Sequence, residues 1–176
     1  EYLDELGEKI DVTLELGIES THDVTLKRIN RGHDYQCFVD KVTECAGKKF
    51  KLATHLIFGL PEETPEMMLE SVRRVSQLKL DFVKFHQLHI VRETVLGNQY
   101  LQRPFKLLEK DEYIKLVAEA IALLPPEIVI QRLFGEAPEQ LMIAPHWEGK
   151  LSQWVQELKA YLESHHITQG MKYSFI

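Results

Sequence analysis

The chain has 176 residues, 44% of them hydrophobic, which suffices for one domain with a sizeable core and is ordinary for a soluble globular protein. Its 27 acidic residues against 21 Lys and Arg give a formal charge of -6, which argues against a broad polyanion-binding surface, because counterion-release binding needs clustered cations. No apolar run approaches the ~20 residues that span a bilayer, and the two cysteines, without a secretory signal, read as reduced thiols; the expectation is a cytoplasmic protein without membrane contact.

Strand-like and helix-like segments alternate along the chain, which predicts an α/β fold built on a parallel sheet. Residues 10–19 read as a strand, with Val12, Leu14, Leu16 and Ile18 on one face and Thr13, Glu15, Gly17 and Glu19 on the other. A short helix is expected over 23–29 and a longer one over 35–48, the latter with Phe38, Val39, Val42, Cys45 and Ala46 along one side. Residues 50–58 form the second strand, which leaves through Gly59-Leu60-Pro61. Thr64 then caps a helix that starts at Pro65, where a missing N–H costs nothing, and runs to Leu78.

Residues 81–90 read as a third strand, and 91–110, which lack a clean periodicity, as a long loop. A helix over 111–124 ends at Pro125-Pro126 before a fourth strand over 128–134. Residues 135–147 look irregular. Residues 150–165 make an amphipathic helix whose apolar stripe is Leu151, Trp154, Val155, Leu158 and Leu162. The chain starts at Glu1 and meets an interior-type strand within ten residues, so it is expected to be a fragment of a longer protein.

Ligands of parallel α/β sheets sit at the carboxyl ends of the strands, so polar residues there carry most weight. One face of the first three strands offers Thr13, Glu15, Gly17 and Glu19, then His55, Ile57 and Gly59, then Lys84, His86 and Leu88: two acids, two imidazoles and one amine around one cavity. The plain alternative is a buried structural ion pair between Glu15 and Lys84 with the histidines as satisfied core residues. It is weaker for the set than for any one residue, because buried charges are costly unless mutual pairing or function retains them. A zinc site has little support, since no helix carries a His-x-x-x-His pair and His86 and His89 fall on opposite strand faces. Arg31, near the mouth of the first strand, is either a carboxylate clamp or a helix C-terminal cap.

Taken in order, Glu15-Leu16-Gly17-Ile18-Glu19-Ser20, Leu26, Ile29-Asn30-Arg31-Gly32-His33 and His55-Leu56-Ile57-Phe58-Gly59-Leu60-Pro61 with Thr64 resemble landmarks of the radical S-adenosylmethionine superfamily. The resemblance is to the branch containing oxygen-independent coproporphyrinogen oxidase and Elongator-type tRNA-modifying proteins. It is closer still to a bacterial family of that branch, through Lys84-Phe85-His86-Gln87-Leu88-His89 and the Gln169-Gly170 region.

The resemblance implies a partial parallel (β/α) barrel, strands four to six of the whole, over residues 1–125, with a C-terminal strand and helix extension over 126–176 packed on it. It implies S-adenosylmethionine as cofactor, with Glu15, Glu19, Arg31, His55, Ile57, Gly59 and Leu60 in its site. Arg31 would take the methionine carboxylate, Glu19 would lie near the methionine or ribose, and residues 57–60 would pack on the adenine. His55 stands where related enzymes often place an acid for the ribose hydroxyls. Lys84 and His86 would contact the substrate. The implied reaction is reductive cleavage of S-adenosylmethionine to a 5'-deoxyadenosyl radical, with a [4Fe-4S] cluster, an electron donor and an unknown substrate.

Cys37 and Cys45 lack the C-x-x-x-C-x-x-C spacing that holds such a cluster, so its ligands are expected outside this chain, which alone should not generate radicals. Two rival readings are an acid-base barrel hydrolase or lyase using Glu15, Lys84 and His86, and a ligand-binding domain without redox chemistry. A tRNA substrate stays open but finds no support in the acidic charge.

Overall fold

Four parallel strands in the order β1-β2-β3-β5 form the sheet of a computed structural model that describes residues 2–174. They are β1 (Thr13–Glu15), β2 (Lys51–Phe58), β3 (Phe82–Gln87) and β5 (Val129–Arg132). Helices α2 (Asp23–Arg28) and α3 (Tyr35–Glu44) connect β1 to β2, α4 (Pro65–Ser76) connects β2 to β3, and α6 (Lys110–Leu123) precedes β5. This is the expected α/β architecture of a partial parallel barrel.

Alternation along the strands divides the sheet into two chemically different faces. On the helix-covered face Leu52, Leu56, Phe58, Val83 and Phe85 are buried with Val72, Val75, Tyr113 and Val117. The aromatic centre is Tyr113, whose ring lies 6.1 Å from Phe58 and 5.3 Å from both Phe134 and Trp147. Its hydroxyl donates to the Leu133 carbonyl at 2.8 Å, so the ring is buried without an orphaned polar atom. The opposite face carries Glu15, His55, Lys84 and His86.

The caps follow the sequence. Thr64 accepts from the Met67 N–H at 3.3 Å and Pro65 opens α4, while Asp34 accepts from the Cys37 N–H at the start of α3. Helix α7 (Leu151–Ser164) packs on α6, with Leu158 fully buried.

Four expectations need correction. The third strand does not run over 81–90: β3 ends at Gln87, and Ile90 lies in a strand of a separate two-stranded sheet, so Leu88 and His89 stand outside both. The first strand is not continuous over 10–19: β1 spans three residues, and after Leu16 donates to the Ala53 carbonyl the chain leaves the ladder, rejoining β2 at Glu19 through a bridge to Leu56. The detour passes through Gly17 and ends at Glu19, whose φ is 68°, a left-handed conformation that no strand residue adopts. Residues 91–110 are not simply a loop, since α5 (Val95–Gln102) lies within them, capped by Thr94 accepting from the Gly97 N–H at 2.9 Å. Its only buried residue is Gly97, so no apolar stripe announced it. Residues 135–147 are not wholly irregular either: they hold a 3-10 turn (Glu139–Leu141) and β6 (Met142–Ala144), which pairs antiparallel with β4 (Ile90–Val91). Strands of two and three residues are too short for alternation to be seen. Helix α1 (Tyr2–Gly7), which buries none of its residues, also escapes sequence reading.

Candidate functional site

Register brings the polar face together. Glu15 pairs with Ala53, His55 with Lys84, and Ile57 with His86, so side chains from three neighbouring strands line one surface near the strands' C-terminal ends. They form a ladder of alternating charge. The Lys84 ammonium donates to Glu15 Oε2; Glu15 Oε1 meets His55 Nδ1 at 3.2 Å; His55 Nε2 meets Glu19 Oε2 at 3.0 Å; and Glu19 Oε1 lies 3.3 Å from Arg31 Nε.

Both ring nitrogens of His55 face carboxylate oxygens, which only accept when ionised, an arrangement that favours the doubly protonated imidazolium. The hydrogen bond to Glu19 raises its pKa, Glu15 adds to the rise, and partial burial opposes it. Glu15 is held below the usual carboxylate range, chiefly by the Lys84 hydrogen bond and then by His55. The sign of the linkage is set by the raised folded-state pKa. The stability that His55 contributes is full below its unfolded value of about 6.5 and is lost as pH rises through the raised value. Urea unfolding of wild type and His55→Gln across that range is expected to give a stability gap that narrows with rising pH; a gap independent of pH would contradict the imidazolium.

Arg31, after α2, reaches back to β1. Its Nη2 donates to the Gly17 carbonyl at 2.6 Å, while Nε, buried and close to Glu19, makes no hydrogen bond. A guanidinium so placed has unused donor capacity facing a carboxylate-lined mouth. Gly17 is required there: a Cβ on it would lie 2.4 Å from His55 Cε1 and 3.0 Å from Glu19 Oε1. Behind Glu19, the Ser20 hydroxyl donates to Glu63, whose carboxyl is pushed up in pKa by burial. Ile57 donates its N–H to the Glu19 carbonyl at 2.9 Å; Gly59 and Leu60 are buried just beyond, and Leu60 and Leu88 share a small apolar cluster that Ile57 packs against.

On the other side of the ladder, the His86 ring centre lies 5.6 Å from that of His55. Burial, reinforced by the charges of His55 and Arg132, lowers its pKa to about 4, so it is neutral near pH 7. Its Nε2 is buried without a hydrogen-bond partner.

Two residues here were not legible. Arg132 pairs with Lys84 across β3 and β5 after a bulge, and that register shift is invisible in sequence. Gly135 packs so closely on His86 that a Cβ would come within 2.9 Å of Nδ1. The structure thus joins Glu15, Glu19, Arg31, His55, Lys84 and His86 in one connected set. The Glu15–Lys84 pair of the plain alternative exists as well, half open to solvent on the Glu15 side.

Cys37 is exposed and Cys45 half-buried, and among the described residues no group of three or more His, Cys, Asp or Glu is arranged to hold a metal ion. No described helix is long and apolar enough to cross a membrane.

Residues 1–75 match the model of the Radical SAM superfamily and residues 80–163 that of the Radical_SAM C-terminal domain. The chain is 33% identical over 170 residues to Uncharacterized protein YtqA of Bacillus subtilis, covering 97% of this chain and 53% of that protein. It is 35% identical over 156 residues to Protein YhcC of Escherichia coli, covering 88% and 50%. The chain therefore spans about half the length of these relatives. Among solved structures, the archaeal Methanocaldococcus infernus Elp3 with an N-terminal deletion superposes with a TM-score of 0.79 at 19% identity, over 95% of this chain and 39% of that one.

Proposed function

Since the chain belongs to the radical S-adenosylmethionine superfamily, we propose that it is the wall of a radical enzyme's barrel that grips S-adenosylmethionine on one side and substrate on the other. The observation that carries this reading is the half-buried Arg31 guanidinium, held by Glu19 at Nε and by the Gly17 carbonyl at Nη2, beside the Gly17 notch at the C-terminal mouth of the sheet. Its Nη1 makes no hydrogen bond among the described residues, and an amino acid's carboxylate end would take that donor well. Glu19 and Glu15, held by His55, offer acceptors to ammonium and hydroxyl groups, and Ile57, Gly59 and Leu60 offer the apolar flank for a flat base.

In this superfamily S-adenosylmethionine, bound with a [4Fe-4S] cluster, supplies a hydrogen-abstracting radical. The two cysteines of this chain do not fit that cluster, so its ligands are assigned to residues outside it. Residues 1–125 would supply the barrel portion, and 126–176 a strand and helix that close it.

Lys84 and His86 are proposed to hold substrate. Lys84 supplies a positive charge and His86 a neutral ring with one unmet polar atom, a combination that orients a polar group without competing for the methionine end. Positioning governs hydrogen abstraction, because a small misplacement of the reacting carbon costs a large part of the rate. In the reduced full-length protein, Lys84→Met and His86→Leu should retain S-adenosylmethionine binding and uncoupled 5'-deoxyadenosine release while substrate-dependent turnover falls. Loss of cofactor binding in both, or undiminished turnover, would put these residues in a different role.

A further inference from the structure

Both tryptophans of the chain line one cavity that takes no part in the charged ladder. The cavity, of about 420 Å³, lies past the C-terminal ends of β3 and β5, between the 135–149 segment and the start of α7. Its volume falls within the roughly 300–1,000 Å³ usual for small-molecule sites.

What the walls offer is specific. The rings of Trp147 and Trp154 meet edge to face at 5.5 Å, and each indole N–H is already engaged, with the Leu108 carbonyl at 3.2 Å and the Glu148 carbonyl at 2.8 Å. The indoles therefore have no donor to spare and line the cavity with aromatic surface, which attracts cations wherever a ring face is presented.

Gln87, buried to 4% exposure, is locked to Gly135 by two hydrogen bonds, of 2.8 and 3.1 Å. Its amide nitrogen also sits 3.1 Å from His89 Nε2, so that nitrogen accepts and the His89 proton rests on Nδ1. Burial lowers the His89 pKa, keeping the ring neutral. The floor is thus fixed and uncharged. Apart from the exposed imidazole of His146, the ionisable groups on the rim are the carboxylates of Glu136 and Glu139, and no Lys or Arg is among the described lining residues.

We infer that this cavity binds a flat organic cation of the class of an N-alkylated nitrogen heterocycle. Indole surface and carboxylates both favour positive charge, the neutral amide floor accommodates a planar edge, and an anion would meet two like charges with no cation to offset them. The site is separate from the ladder, and its assignment stands whatever the ladder binds.

The test is a charge series on one ring shape: 1-methylnicotinamide (cation), nicotinamide (neutral) and nicotinate (anion), titrated by calorimetry into the full-length protein and its Glu136→Gln/Glu139→Gln variant. The cation is expected to bind about tenfold more tightly than the neutral ring, and the anion not measurably. In the variant, whose changes are at exposed positions that leave the fold intact, the cation should lose most of that advantage while the neutral ring binds as before. Binding of nicotinate as tight as that of the cation, no binding of any of the three, or a cation advantage untouched in the variant would each overturn the inference.

Discussion

Replacing Arg31 by lysine is expected to weaken S-adenosylmethionine binding by the full-length protein about tenfold or more, because a charged, forked hydrogen-bond pair is worth about 1.5–3 kcal/mol and lysine cannot supply the fork. The guanidinium spends Nη2 on the Gly17 carbonyl and turns Nε to Glu19 at 3.3 Å. A lysine ammonium keeps the charge but can serve only one of these directions at a time. Glu19→Ala should weaken binding as well, by removing the carboxylate that holds both Arg31 and His55. Calorimetry on both variants decides the matter: unchanged affinity in the pair would return Arg31 and Glu19 to a purely structural role.

The largest stability effect is expected at Tyr113, on the other face of the sheet. Tyr113→Ala removes a fully buried ring that touches Phe58, Phe134 and Trp147, leaving a cavity that neighbouring aromatic rings cannot collapse to fill; the cost is about 3–5 kcal/mol. Tyr113→Phe leaves the ring and orphans the Leu133 carbonyl, so it should cost about 1 kcal/mol. Urea denaturation of the two variants is expected to separate them clearly. A Tyr113→Ala loss no larger than that of Tyr113→Phe would mean that the core repacks around the missing ring.

The elements that bury a regular stripe were legible in sequence, and those that do not were not. Strand β2, with Leu52, Thr54, Leu56 and Phe58 buried on its helix-covered face, and α4, with Thr64 and Pro65 at its start, sit within two residues of where pattern and capping place them. Helix α5 carries Val95 and Leu101 exposed to solvent and buries only Gly97, so burial could not have marked it; Thr94, a good N-cap, was the available signal. The break in the first strand has a different origin. Alternation from Val12 to Glu19 is intact in sequence, yet the left-handed turn at Glu19 and the close approach of Gly17 to His55 are decided by a neighbouring strand.

The site was legible for the same reason as the strands. A period of two places Glu15, His55, Lys84 and His86 on one face, and register then makes them neighbours. What sequence could not give is the order of contacts. The link between the Arg31 end and the Lys84 end runs through His55 held between two carboxylates, and Arg132 joins the set only through a bulge in the last pairing.

The most direct measurement of the central claim is S-adenosylmethionine affinity, by calorimetry, for Arg31→Lys and Lys84→Met of the full-length protein side by side with wild type. A wall with a cofactor end and a substrate end predicts a marked loss in Arg31→Lys and an affinity close to wild type in Lys84→Met. Equal affinity in all three, or a loss in Lys84→Met as large as that in Arg31→Lys, would contradict it.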